Sequence, residues 1–88
     1  KERRHMIGEL IINVKADGAI VVNRRPLDRD ELREILSAVV QDYPDQAVIL
    51  RGDEKVAYQH IVEVLDICRS ANIWNVAFAT SRPLPGQP

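Results

Sequence analysis

Between residues 9 and 23 the chain is written almost wholly in a period of two, and glycine interrupts it only once. Leu10, Ile12 and Val14 alternate with Glu9, Asn13 and Lys15, and Ile11 alone departs from the polar side. Successive side chains of an extended chain point to opposite faces, so this alternation predicts a strand with one buried face. Ala16-Asp17-Gly18 then offers a turn into a second strand at residues 19–23. The length of that turn decides which side chains share a face, because a slip of one residue sends the whole apolar set to the other side. A two-residue Asp-Gly loop would pair Val14 with Val21 and turn Asn23 toward the core. A three-residue loop pairs Val14 with Ile20 and Ile12 with Val22, which keeps the apolar set together. It also puts Gly18 third in the loop, where a type I turn needs a left-handed residue. The expectation is therefore a three-residue hairpin.

After the hairpin the period changes. Asp28 and Glu31 have the spacing of a capping box, with Leu27 placed to pack on Leu32 as a hydrophobic staple, so a helix should start near Arg29. Leu32, Ile35, Leu36, Val39 and Val40 form one stripe, and Tyr43-Pro44 ends it because the residue before proline avoids helical geometry. The apolar run 47–50 reads as an interior strand covered on both faces, closed by Gly52-Asp53. From about Ala57 to Asn72 a second stripe of Ala57, Ile61, Val64, Leu65, Cys68 and Ala71 predicts a second helix. Trp74, Val76 and Phe78 alternate with Asn75, Ala77 and Ala79 in a last strand, and Pro83, Pro85 and Pro88 argue against regular structure beyond it. The fold class that follows is a two-layer α+β domain with a mixed sheet in the order β-β-α-β-α-β. Right-handed crossovers then put both helices on one face. The expected organisation is a linker remnant at 1–8, the domain at 9–80 and a Pro-rich tail at 81–88.

Composition narrows the functions. With 88 residues, 45% of them hydrophobic, the chain can bury one core and no second one. Twelve Lys and Arg against 13 Asp and Glu leave a net charge of -1, and only Arg3-Arg4-His5 beside Lys1 forms a single-signed cluster, so nucleic acid is not an expected partner. Tyr43, Tyr58, Trp74 and Phe78 do not form the stacking motif of an RNA-binding sheet. The single Cys68 provides no internal disulfide and reads as a buried, inert thiol at helical spacing from Val64 and Leu65. No apolar run approaches the roughly 20 residues needed to cross a bilayer, and the start at Lys rather than Met leads to the expectation of a fragment.

Nor does the sequence assemble a catalytic or cofactor site. Ser37, Ser70 and Ser81 lack the base and strained turn that activate a nucleophile. His60 borders the second apolar stripe, where it is expected to pack with one nitrogen wet. Asp53, Glu54 and Asp66 are too scattered for a calcium or phosphate-magnesium site, and Asp53 is placed to satisfy backbone donors entering the second helix. None of the four glycines builds a phosphate loop, so no cofactor is expected and the chain reads as a non-enzyme. What remains is surface. The sheet face away from the helices would present Ile11, Val21, Ile49 and Ala77 among Asn13, Asn23 and Asn75, more apolar than a solvated face requires, and reads as a contact surface. Tyr58, at the start of the second helix, can either line a groove or cover a core edge.

These segments resemble the periplasmic domain of the ExbD/TolR family over nearly all of residues 10 to 80. The first half of the resemblance is Ile12-Asn13-Val14, Asp17-Gly18, Ile20-Val21-Val22-Asn23 and Glu31-Leu32. The more specific half is Asp53, Val56 and Tyr58, then Ile61-Val62, Val64-Leu65-Asp66, Ile73 and Val76 through Thr80. Two positions depart from the family pattern: Ala57 stands where proline is frequent and Asn72 where glycine is usual. Alanine can begin a helix, and asparagine is the next best residue for a left-handed helix end. The resemblance implies a full protein of the bacterial inner membrane with one membrane helix bearing an ionisable aspartate, and with this domain in the periplasm. It implies a homodimer within a ring of an ExbB/TolQ-like membrane subunit, which uses the proton motive force to energise a TonB/TolA-like protein. Tol-type members add peptidoglycan as a partner. Ile11, Val21, Ile49, Tyr58 and Asp53 are the candidate partner or dimer surface. The rival expectation is a free-standing small α/β ligand-binding or regulatory dimer.

Overall fold

In the computed structural model, which describes residues 8–80, the hairpin pairs Ile12 with Val22 and Val14 with Ile20, the register expected of the three-residue loop. Strand β1 (Leu10–Val14) runs antiparallel to β2 (Ile20–Val22), and the Lys15 N–H donates to the Ala19 carbonyl at the mouth of the turn. Gly18 takes φ +92, the left-handed conformation that the loop demands of its third residue.

The chain then turns once more, which the sequence reading missed. Asn23 and Arg24 both take positive φ (55 and 69) and form a tight turn into a third strand, β3 (Arg25–Leu27), antiparallel to β2. Two central residues with positive φ are the mark of a type I′ hairpin turn. Asn at the first position is ordinary there, but Arg at the second conceals it, and Pro26 argues against a strand. Pro26 is tolerated because β3 is the sheet edge, where no ladder partner needs its missing N–H. The order is thus β-β-β-α-β-α-β, one strand more than expected, within the α+β class.

Helix α1 (Arg29–Asp42) begins with a complete capping box. The Glu31 N–H donates to the Asp28 carboxylate and the Asp28 N–H to the Glu31 carboxylate, each at 2.8 Å. Leu27, Leu32 and Leu36 are buried in the core. The chain then enters β4 (Val48–Gly52), parallel to β1, and α2 (Tyr58–Ser70), which buries Ile61, Val64, Ile67 and Cys68. The helix closes at Asn72 with φ 66, the left-handed end foreseen for an asparagine in glycine's place. Strand β5 (Val76–Thr80) lies parallel to β4, giving the sheet order β3-β2-β1-β4-β5. The parallel steps β1 to β4 and β4 to β5 both move toward the same edge, so two right-handed crossovers place both helices on one face. One core results, joining Ile12, Val14, Ile20, Val22, Val48 and Leu50 of the sheet to the buried residues of both helices.

Two local expectations need correction. Strand β4 is interior but not covered on both faces, since Ile49 is half-buried and Arg51 exposed on the side away from the helices. A parallel strand is sealed on both faces only where helices cover both, and here they cover one. Trp74, Val76 and Phe78 alternate with Asn75, Ala77 and Ala79 as expected, yet Trp74 and Phe78 stay 71% and 55% exposed, because Trp74 precedes the strand and β5 has no outer neighbour among the described residues. Residues 1–7 of the expected linker remnant at 1–8, with the Arg3-Arg4-His5 cluster, and the tail at 81–88, with Ser81 and the three prolines, lie outside the described residues.

Candidate interaction surface

The side of the sheet that the helices leave open follows from the register. Ile11, Ile49 and Ala77 are successive Cα partners across β1, β4 and β5, so they form one aliphatic rung. Two residues further along the strands, the next rung on the same face reads Pro26, Val21, Asn13, Arg51 and Ala79. Ile11, Val21 and Ile49 are each only half-buried and lie on one face of the sheet.

Beyond the second rung the face becomes polar. Asn13, Lys15, Val21, Arg51 and Asp53, with Val14, line a shallow hollow of about 270 Å³ at the C-terminal ends of β1 and β4. The Asn13 amide leans on the Val21 carbonyl at 3.5 Å. Asp53 is fixed from its backbone, its N–H donating to the Val14 carbonyl at 2.9 Å, while its Oδ1 accepts the Lys55 N–H at 2.8 Å. It thus satisfies a donor on the approach to α2, as its position suggested. Among the described residues neither Lys15 nor Arg51 makes an ion pair. Sequence reasoning missed both cations because they stand far apart in the chain, and only the parallel pairing of β1 with β4 brings them to one hollow.

Tyr58 does not join this surface. It is the first residue of α2, in the opposite layer, and its 79% exposure means that it covers no core edge. The helix it opens has Ala57 as N-cap and no side-chain cap.

The sheet's two edges differ in what they offer. Edge strand β3 carries Arg25 and Pro26, which discourage pairing, whereas β5 reads Val-Ala-Phe-Ala-Thr without charge or proline. An uncharged edge of five residues is a template for an added strand.

His60 and Cys68 lie apart from this face, on the second helix. The His60 ring lies against Gly18, and its Nδ1 is shut off from solvent without a hydrogen bond, 3.7 Å from Glu63. Glu63 in turn pairs with Arg29 of α1, tying the two helices together. Burial pushes the Cys68 thiol up to about 11, so it remains protonated and unreactive near neutral pH. Among the described residues no group of three or more His, Cys, Asp or Glu could hold a metal ion, and no helix is long and apolar enough to cross a membrane.

Comparison with known proteins agrees with the resemblance seen in the sequence. The family described as "Biopolymer transport protein ExbD/TolR" matches residues 5–82. The chain is similar to the biopolymer transport protein exbD2 of Vibrio cholerae serotype O1, 23% identical over 74 residues that cover 84% of this chain and 55% of that protein. It is also similar to exbD1 of Xanthomonas campestris pv. campestris strain B100, 27% identical over 73 residues, 83% of this chain and 52% of that one. The chain spans about half the length of these curated relatives.

Proposed function

The chain belongs to the ExbD/TolR family of biopolymer transport proteins, and from that membership we propose that it is the extracytoplasmic domain of an inner-membrane accessory protein. In this reading the full protein couples the proton motive force to transport. The domain works by docking rather than by chemistry. Its partners are a second copy of itself, an ExbB/TolQ-like membrane subunit, and a TonB/TolA-like protein or the cell wall.

The observation that supports docking most directly is the unequal treatment of the sheet's surfaces. One face is sealed by two helices, while the other keeps an aliphatic rung of half-buried Ile11 and Ile49 with exposed Ala77 beside a hollow. A face with nothing to bind costs less when it is polar, so an apolar rung there favours a contact role. The uncharged β5 edge supplies a second route, strand addition, in which backbone hydrogen bonds give affinity and alternate side chains give specificity. The two-helix layer behind the sheet holds both surfaces rigid, which suits a part that transmits force.

The test is the coding sequence upstream of Lys1. The proposal expects one apolar stretch of about 20 residues bearing a single acidic residue, joined to this domain by a polar segment. An open reading frame that starts without such a stretch would transfer the domain to the rival reading, a free-standing ligand-binding dimer.

A further inference from the structure

Docking leaves open which chemistry the open face accepts. Resting on that reading, we infer that the face takes an extended segment of a partner protein in which a carboxylate side chain stands two residues from an aliphatic one. The carboxylate enters the Lys15–Arg51 hollow and the aliphatic side chain lies on the Ile11–Ile49–Ala77 rung.

The spacing comes from the register. Ile49 and Arg51 are two residues apart on β4, and Ile11 and Asn13 are their partners on β1. Side chains two apart on a strand emerge on one face about 6–7 Å from each other. An extended peptide laid along the strands repeats that distance between its own alternate residues, so its i and i+2 side chains reach the hollow and the rung together.

The charge comes from the hollow. Two cations, Lys15 and Arg51, line it against one carboxylate, Asp53, and Asp53 already accepts the Lys55 N–H. Arg51 lies beside the Asn13 amide in register, so a guanidinium and an amide donor can meet one incoming carboxylate. Neither cation has an ion-pair partner among the described residues to surrender on binding.

A second copy of this chain is the competing occupant of the face, and it is an outcome of the test below.

The experiment titrates the nitrogen-15-labelled 88-residue chain with a blocked Ser-Asp-Ser-Leu-Ser peptide, with the reversed Ser-Leu-Ser-Asp-Ser peptide, and with the Asn counterpart of each. Expected are amide shifts at Asn13, Val21, Ile49 and Arg51, and affinity about tenfold lower for the Asn peptides. The exposed substitution Arg51→Gln, or Lys15→Gln as a second variant, should lower acidic-peptide affinity toward that of the Asn peptide and leave the Asn peptide unaffected. Equal binding of Asp and Asn peptides, or no shift at all, overturns the inference. Shifts confined to Val76 and Phe78 also overturn it, by moving binding to the β5 edge, and they leave the docking reading intact. So does concentration-dependent doubling of mass without peptide, if the same face residues shift, because the occupant is then a second copy. The docking reading itself stands or falls separately, on the upstream membrane segment.

Discussion

Replacing Gly18 by alanine tests whether the hairpin turn and the second helix are one mechanical unit. The added methyl meets two independent obstacles. At φ +92 an L-residue is strained, at about 1–2 kcal/mol. A Cβ built there lies 2.7, 2.8 and 2.9 Å from His60 Cε1, Nδ1 and Nε2, so the imidazole presents its ring to the glycine and must move. Forcing a packed side chain off its position costs roughly 1–3 kcal/mol more. Gly18→Ala should therefore lose about 2–5 kcal/mol in urea unfolding, and even the lower figure should lower Tm by about 8–16 °C for a domain of this size. The two obstacles separate in a His60→Ala background, where the ring is gone. There the same change should cost only the conformational part, about 1–2 kcal/mol. A single substitution costing less than about 0.5 kcal/mol, the ordinary range for a surface change, would refute the argument. An unchanged cost in the His60→Ala background would refute the ring contact alone.

Three further outcomes are expected. Asp28→Ala removes the side-chain half of the capping box and leaves the backbone N–H of residue 28 on the Glu31 carboxylate, and it should cost about 1 kcal/mol in urea unfolding, most of which Asp28→Asn restores. Ile11→Lys should change stability by no more than about 0.5 kcal/mol while reducing partner or self-association measured by crosslinking and sedimentation; if both stay unchanged, the open face is not an interface. Cys68 keeps its proton in the folded state up to about 11 against an ordinary 9.0. The unfolded chain thus binds fewer protons between those values, and stability should fall as pH rises from 9.0 to about 11. Cys68→Ala should abolish that part of the pH dependence, and the parent thiol should resist thiol reagents near pH 8 until denaturant is added.

The candidate surface was half legible in the sequence, for reasons that differ by residue. Ile11 and Val21 betray themselves as apolar residues on the polar side of an alternating strand. Ile49 carries no such local signal, since β4 reads as a continuous apolar run, and its place on the open face comes from putting both helices on one side, which its half-burial matches. Lys15 and Arg51 carry no local signal, because a charged residue at a strand end is the commonest kind of surface residue. Tyr58 is included as an aromatic at a helix start that can line a groove or cover a core edge, yet the helix carries it to the other layer.

Local chemistry accounts for what the sequence determined alone. The Gly18 turn, the Asp28–Glu31 box, the Tyr43-Pro44 stop and the left-handed Asn72 each depend on conformational preferences within a few residues. The apolar periods then fix which side of each element is buried, and so the hairpin register and the α+β class. The third strand escaped because its edge position, which only the assembled sheet defines, is what makes Pro26 acceptable. The hollow escaped for the same kind of reason. Parallel pairing joins segments with a whole helix between them, so the meeting of Lys15 and Arg51 is a property of the register of β1 on β4.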